Sequence, residues 1–221
     1  MRYEITGTPL PVAILRLNRG ETIHSENGAM SWMSDGLSMK TNAGGSIGKA
    51  FSRAFSGESI FQNTYTAQVD DAFIAFASSF PGQILPIDVG VQPIVAQKSA
   101  FLARESTVDM AIHFQRKLGS GFFGGEGFIM QRFSGSGIVF LEIDGALKEY
   151  DLAPGETMIL DTGYLAAMTA SVKMDVTTVK GVGNVLFGGE GLFHTCVTGP
   201  GHIWVQTMPK FKMASFFATK S

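Results

Sequence analysis

Three glutamates recur in one setting, so clustered carboxylates are the first chemistry to ask of this chain. Glu58, Glu126 and Glu190 sit in the phrases FSGESIF, FGGEGFI and FGGEGLF, 68 and 64 residues apart. Each has a phenylalanine three places before it, a glycine one before it, and apolar residues two and three places after it. Brought together, three carboxylates would raise one another's pKa or recruit a cation. Left apart, each would accept hydrogen bonds from the N–H groups of its own glycine turn, and this local role is the preferred one. Phe55, Gly57, Glu58, Phe123, Gly125, Glu126, Phe187, Gly189 and Glu190 are the candidate interaction loops. Basic residues precede them: Lys49 and Arg53, Arg116 and Lys117, and Lys180. Phenylalanines so placed serve as core plugs, subunit contacts or wedges into a bilayer interface.

Other chemistry is thin. The string GSGFFG, Gly119 to Gly124, matches G-x-G-x-x-G, but a dinucleotide site needs a strand before it and a crossover helix after it. The residues C-terminal to this string are β-rich and include further glycines. His194 and Cys196 are two apart and would share a strand face, with no third ligand nearby to complete a metal site. His24, His113, His194 and His202 read as isolated strand histidines. No nucleophile elbow or Ser-His-Asp constellation stands out. The tail PKFKMASFF interleaves Lys210 and Lys212 with aromatics and would cap a sheet or lie on a membrane or partner. No catalytic residue, cofactor or metal is expected.

The elements that would position these loops repeat with them. LRLNRGETI, LPIDVGVQPI and YDLAPGETMI carry Gly20, Gly90 and Gly155, which read as turn glycines and stand 38, 36 and 35 residues before the three glutamates. An apolar cluster comes about ten residues after each glycine, at Met30–Met33, Ala100–Leu102 and Tyr164–Ala166. A β-rich run comes after each glutamate: Phe73–Phe76, Ile138–Leu141 and Ile203–Val205. Thr107–Phe114 and Ser171–Thr178 alternate apolar with polar residues, the period of a half-buried strand. Only 47–55 and 209–218 offer helical patterns. The expectation is an all-β single domain of three repeats, about 10–76, 82–145 and 147–208. They would form sandwich- or barrel-like sheets about a pseudo-threefold axis. A lone unit of that size would bury only about 60% of its unfolded surface, so a shared core is expected.

Composition narrows the function classes. Charged residues are 16% of the 221-residue chain, against about 25% in ordinary soluble domains, while apolar residues are 45%. So little charge leaves apolar surface that subunit contacts or a membrane surface would cover. A net charge of −2 gives no global attraction for nucleic acid. One cysteine excludes an intrachain disulfide framework. No secretory leader pattern or membrane-length apolar run is present, which points to the cytoplasm, with a peripheral membrane location open.

On the FGGEG phrases together with LxPGET, the chain resembles the mitochondrial-biogenesis family named for altered inheritance of mitochondria, in its bacterial branch. The first copy departs with FSGES and the second with GVQ in place of GET. The resemblance implies a β-sandwich core similar to the tryptophan RNA-binding attenuation protein, a ring-forming fold, and homo-oligomers. It links mitochondrial relatives to inner-membrane organisation and bacterial ones to membrane stress, and it carries over no catalytic residues. The expected function is a non-enzymatic scaffold acting on copies of itself, and on a membrane-associated protein partner or membrane surface. A module for a small ligand or RNA is the first alternative, and an uncharacterised enzyme the second.

Overall fold

Runs such as Ile138-Val-Phe-Leu141 carry apolar residues at consecutive positions, and successive side chains on a strand point to opposite faces. Such a strand needs cover on both sides. The computed structural model of the chain supplies it; the structure describes residues 1–42, 62–116, 127–178 and 193–210. The described residues form nineteen β-strands and one 3-10 turn at Lys98–Ala100.

In chain order the strands are β1 (Arg2–Thr6), β2 (Val12–Leu17), β3 (Thr22–Glu26), β4 (Trp32–Met33), β5 (Leu37–Asn42), β6 (Gln62–Ala67) and β7 (Ala72–Ala77). Next come β8 (Gly82–Asp88), β9 (Ile94–Gln97), β10 (Phe101–Glu105), β11 (Val108–Arg116), β12 (Phe128–Gly135) and β13 (Ile138–Asp144). The last are β14 (Leu147–Leu152), β15 (Thr157–Asp161), β16 (Leu165–Thr169), β17 (Lys173–Thr178), β18 (Phe193–Thr198) and β19 (Gly201–Gln206). The strands expected at 107–114 and 171–178 are β11 and β17. The three β-rich runs are β7, β13 and β19. Of the helical candidates, 47–55 lies outside the described residues, and only Pro209 and Lys210 of the second lie within them.

Every pairing is antiparallel, and the strands make four sheets: β1-β2-β7-β4, β5-β6-β3-β10-β13-β8, β11-β12-β9-β16-β19-β14 and β15-β18-β17. When strands are counted in blocks of six from β2, the first strand of each block pairs with the sixth: β2 with β7, β8 with β13, β14 with β19. The second and fourth both pair with the fifth: β3 and β5 with β6, β9 and β11 with β12, β15 and β17 with β18. The third pairs with the sixth: β4 with β7, β10 with β13, β16 with β19.

Three apolar clusters hold the layers together. The first packs Leu15, Leu17, Ile74 and Phe76 of β2 and β7 on Ile23 and Tyr65 of β3 and β6. The second joins Phe101, Leu141 and Ile143 to Ile94, Ala96 and Phe133. The third joins Leu165, Met168 and Ile203 to Val176 and Val197. Strands at the block boundaries serve two clusters at once. Phe140 of β13 enters the first while its neighbours Val139 and Leu141 enter the second. Val95 of β9 enters the third while Ile94 and Ala96 enter the second. This double burial is why β9 and β13 read as continuous apolar runs.

Candidate functional site

The residues singled out from the sequence, Phe55, Gly57, Glu58, Phe123, Gly125, Glu126, Phe187, Gly189 and Glu190, all lie outside the described residues, as does the GSGFFG string. The structure does fix where the chain leaves and re-enters the sheets around them. Asn42 pairs with Gln62, Arg116 with Phe128, and Thr178 with Phe193. Each phrase therefore belongs to the connection between two neighbouring antiparallel strands. Side chains also link β6 to β11 and β11 to β17. Gln62 at the start of β6 donates to Met110 Sδ of β11 at 3.4 Å, and Arg116 at the end of β11 donates to the Val176 carbonyl of β17.

The second repeated motif is a turn with a specific construction. In LNRGET and LAPGET the chain folds back with Glu21 N donating to Asn18 O and Glu156 N to Ala153 O, both at 3.0 Å. The third residue of each turn is glycine, with φ of +87° at Gly20 and +80° at Gly155. That is the type II signature, completed in the second case by Pro154 before the glycine. The glutamate carboxylate then clamps its own turn: Asn18 N donates to Glu21 Oε2 at 2.7 Å and Ala153 N to Glu156 Oε2 at 2.8 Å. The threonines after these glutamates pair across the sheet, Thr22 with Thr66 at 2.9 Å and Thr157 with Thr198 at 3.0 Å. Gly90, in the divergent GVQ version, does not take a positive φ. The glycines and glutamates of GET are thus structural.

Two polar clusters went unmarked in the sequence. The first gathers Glu142, Asp144 and Lys210. Buried Glu142 accepts from Ser78 Oγ and Ser79 N at 2.7 Å, from Phe80 N at 3.2 Å, and from Lys210 Nζ at 2.7 Å. Asp144 accepts from Lys210 N at 3.1 Å through Oδ2, while its buried Oδ1 has no hydrogen-bond partner and lies 3.7 Å from Lys210 Nζ. Burial pushes Asp144 up to about 6 against the pull of Lys210. For Glu142 burial also pushes upward, but the bonds from Lys210, Ser78 and Ser79 outweigh it and hold the carboxyl low. Ser79 Oγ lies 3.0 Å from Lys210 Nζ, the spacing of a serine–lysine pair. Through Glu142 and Lys210 the cluster is a latch between the chain leaving β7, the end of β13 and the chain leaving β19.

The second cluster is His202, whose ring meets Asp151 Oδ1 at 2.7 Å and Glu149 Oε2 at 3.0 Å and sits edge-on to Trp204. Partial burial lowers its pKa, but the two carboxylates prevail and the net direction is upward. His24 bonds Thr64 at 3.0 Å, and burial lowers both His24 and His113. His194 and Cys196 do share β18, and among the described residues no group of three or more His, Cys, Asp or Glu is placed to hold a metal.

Among the described residues, exposed large apolar side chains lie in connections, as at Val91, and on strands that end their sheets. Trp32 of β4 and Ile159 of β15 are 47% and 67% exposed. Both strands end their sheets. No helix among the described residues is long and apolar enough to cross a membrane.

Among the described residues, fold and surface together define an all-β protein of antiparallel sheets. Its described polar clusters tie strands together, and strands that end their sheets carry exposed apolar side chains. The chain belongs to the family described as Mitochondrial biogenesis AIM24, whose model matches residues 3–208. An uncharacterised protein of Streptococcus pyogenes serotype M6 is 28% identical over 218 residues, 94% of this chain and 86% of that protein. A crystal structure of a Streptococcus pyogenes protein superposes with a TM-score of 0.84 at 22% identity, over 100% of this chain and 99% of the other. That likeness establishes the fold.

Proposed function

We propose that this chain is a non-enzymatic scaffold or assembly protein that works by associating with copies of itself, with a membrane surface or membrane-associated protein as its further contact. The observation that carries the reading is the exposed apolar surface on unpaired sheet edges, Trp32 on β4 and Ile159 on β15. Natural sheets blunt free edges with lysine, proline or bulges. Here β15 presents Met158, Ile159 and Leu160 in succession. The low charge content fits the same picture.

Three homologous six-strand units in succession belong to this proposal, supported by the pairings that recur in each block of six. So does likeness to the ring-forming tryptophan RNA-binding attenuation protein. Light scattering on the purified chain, with and without liposomes of neutral and anionic lipid, tests the function. A mass that is a multiple of 23.7 kDa is expected. A single-chain mass at every concentration, with no liposome binding, refutes the reading.

A further inference from the structure

Two of the sheets are six strands wide because the second strand of one block pairs with the third strand of the next. This happens twice, in the same register. β3 meets β10 with Ser25 opposite Ala103 and His24 opposite Arg104; β9 meets β16 with Ala96 opposite Ala167 and Val95 opposite Met168. The corresponding third pair is β15 with β4, and it is not made among the described residues of the chain. β15 ends the three-stranded sheet and β4 ends the four-stranded one.

What the two made junctions bury shows what the unmade one leaves open. Across the third and sixth strands the matching pairs are Ala103 with Phe140, Ala167 with Trp204, and Trp32 with Ala75, so Trp32 holds on its third strand the place of Ala103 and Ala167, both 0% exposed. Phe140 enters the first cluster at 0% exposure and Trp204 the second at 8%, each packed on the preceding block. Trp32 is 47% exposed. Ile159 stands after the LAPGET turn at the place His24 holds after LNRGET, and so matches Val95, the partner of Met168. Val95 is 0% exposed and Ile159 is 67%.

Resting on the self-association reading, we propose that a second copy of this chain supplies the missing strand. β4 of one copy adds to the free edge of β15 of the next, antiparallel, with Trp32 opposite Leu160 and Met33 opposite Ile159. Facing side chains agree in this register. Leu160 already packs on the third cluster, which Trp32 would then cover, and Met33 packs on the first, which Ile159 would join. Each copy offers one edge of each kind, so the contact is head to tail, and a closed ring of copies leaves neither of these two edges open.

Two variants made in a Cys196→Ser background test this, Met33→Cys alone and Ile159→Cys alone. Under mild oxidation the mixture is expected to give a covalent pair of chains that neither variant gives by itself, because the two thiols meet only across copies. The same two substitutions placed in one chain and yielding only an internally crosslinked monomer would overturn the proposal, since β4 would then close on its own β15. Ile159→Lys, at an exposed position and checked for fold by circular dichroism, is expected to weaken self-association about tenfold or more. If the wild type assembles while Ile159→Lys assembles equally well and the cysteine mixture stays uncrosslinked, this contact is wrong and the scaffold reading stands. If the wild type is a monomer, this contact falls, and if it also binds no liposomes the scaffold reading falls with it.

Discussion

At the residue scale, Lys210 does the most for the least sequence signal. In the sequence it belongs to a basic, aromatic tail. In the fold it bonds Glu142 and Ser79, 68 and 131 residues away along the chain. No local pattern announces such a partner, because the acids sit inside a β-rich run whose apolar neighbours dominate it. Lys210→Met leaves buried Glu142 without its ion pair but still bonded by Ser78, Ser79 and Phe80. With Lys210 partly exposed, a loss of about 1–3 kcal/mol in urea unfolding, at unchanged m-value, is expected. Asp144 gives a pH signature. Its folded pKa of about 6 lies above its ordinary 3.8, so between those values the unfolded state has released a proton that the folded state keeps. Stability must fall as pH rises through that window. Glu142, held low, acts oppositely, its contribution present above its ordinary 4.5 and lost on acidification. Urea midpoints measured from pH 4 to 7 should therefore show a downward component across about pH 4–6 that Asp144→Asn removes. An unchanged profile in the variant would mean that Asp144 is ionised throughout.

At the scale of elements, turn chemistry was the most legible feature. LNRGET and LAPGET both read as glycine turns, and both are, with positive φ at Gly20 and Gly155. The departure in the second copy was legible too: GVQ lacks the clamping glutamate, and Gly90 there keeps an ordinary φ. Nothing lies within 4 Å of a Cβ built on Gly155, so any cost of substitution is conformational alone. Gly155→Ala is expected to cost about 1 kcal/mol or more, and Gly155→Asn distinctly less, because asparagine tolerates the left-handed region. Equal losses in thermal unfolding would place the strain elsewhere. Strand positions were legible where polar residues alternate, as in β11 and β17. What the sequence hid was which strands are buried on both faces. That depends on a neighbouring block packing against Phe140 or Val95, a contact with no local trace. It equally hid that Glu149 and Asp151 on β14 would flank His202 of β19.

For the whole molecule, the all-β class and the family were legible in periodicity and paired motifs, while the repeated Phe and Glu loops fall outside the described residues and stay expectations. The surface that did emerge, an unblunted edge at β15 and an exposed tryptophan on β4, had no sequence signature. Met158-Ile-Leu160 looks like any core strand until its neighbours are known. The central claim is that these edges are paired in the assembled protein. Amide hydrogen exchange over 29–34 and 157–161, in wild type and in Ile159→Lys, tests it most directly. Slow exchange in the wild type that becomes fast in the variant is predicted; fast exchange in both would show that the edges stand open and that assembly, if any, lies elsewhere.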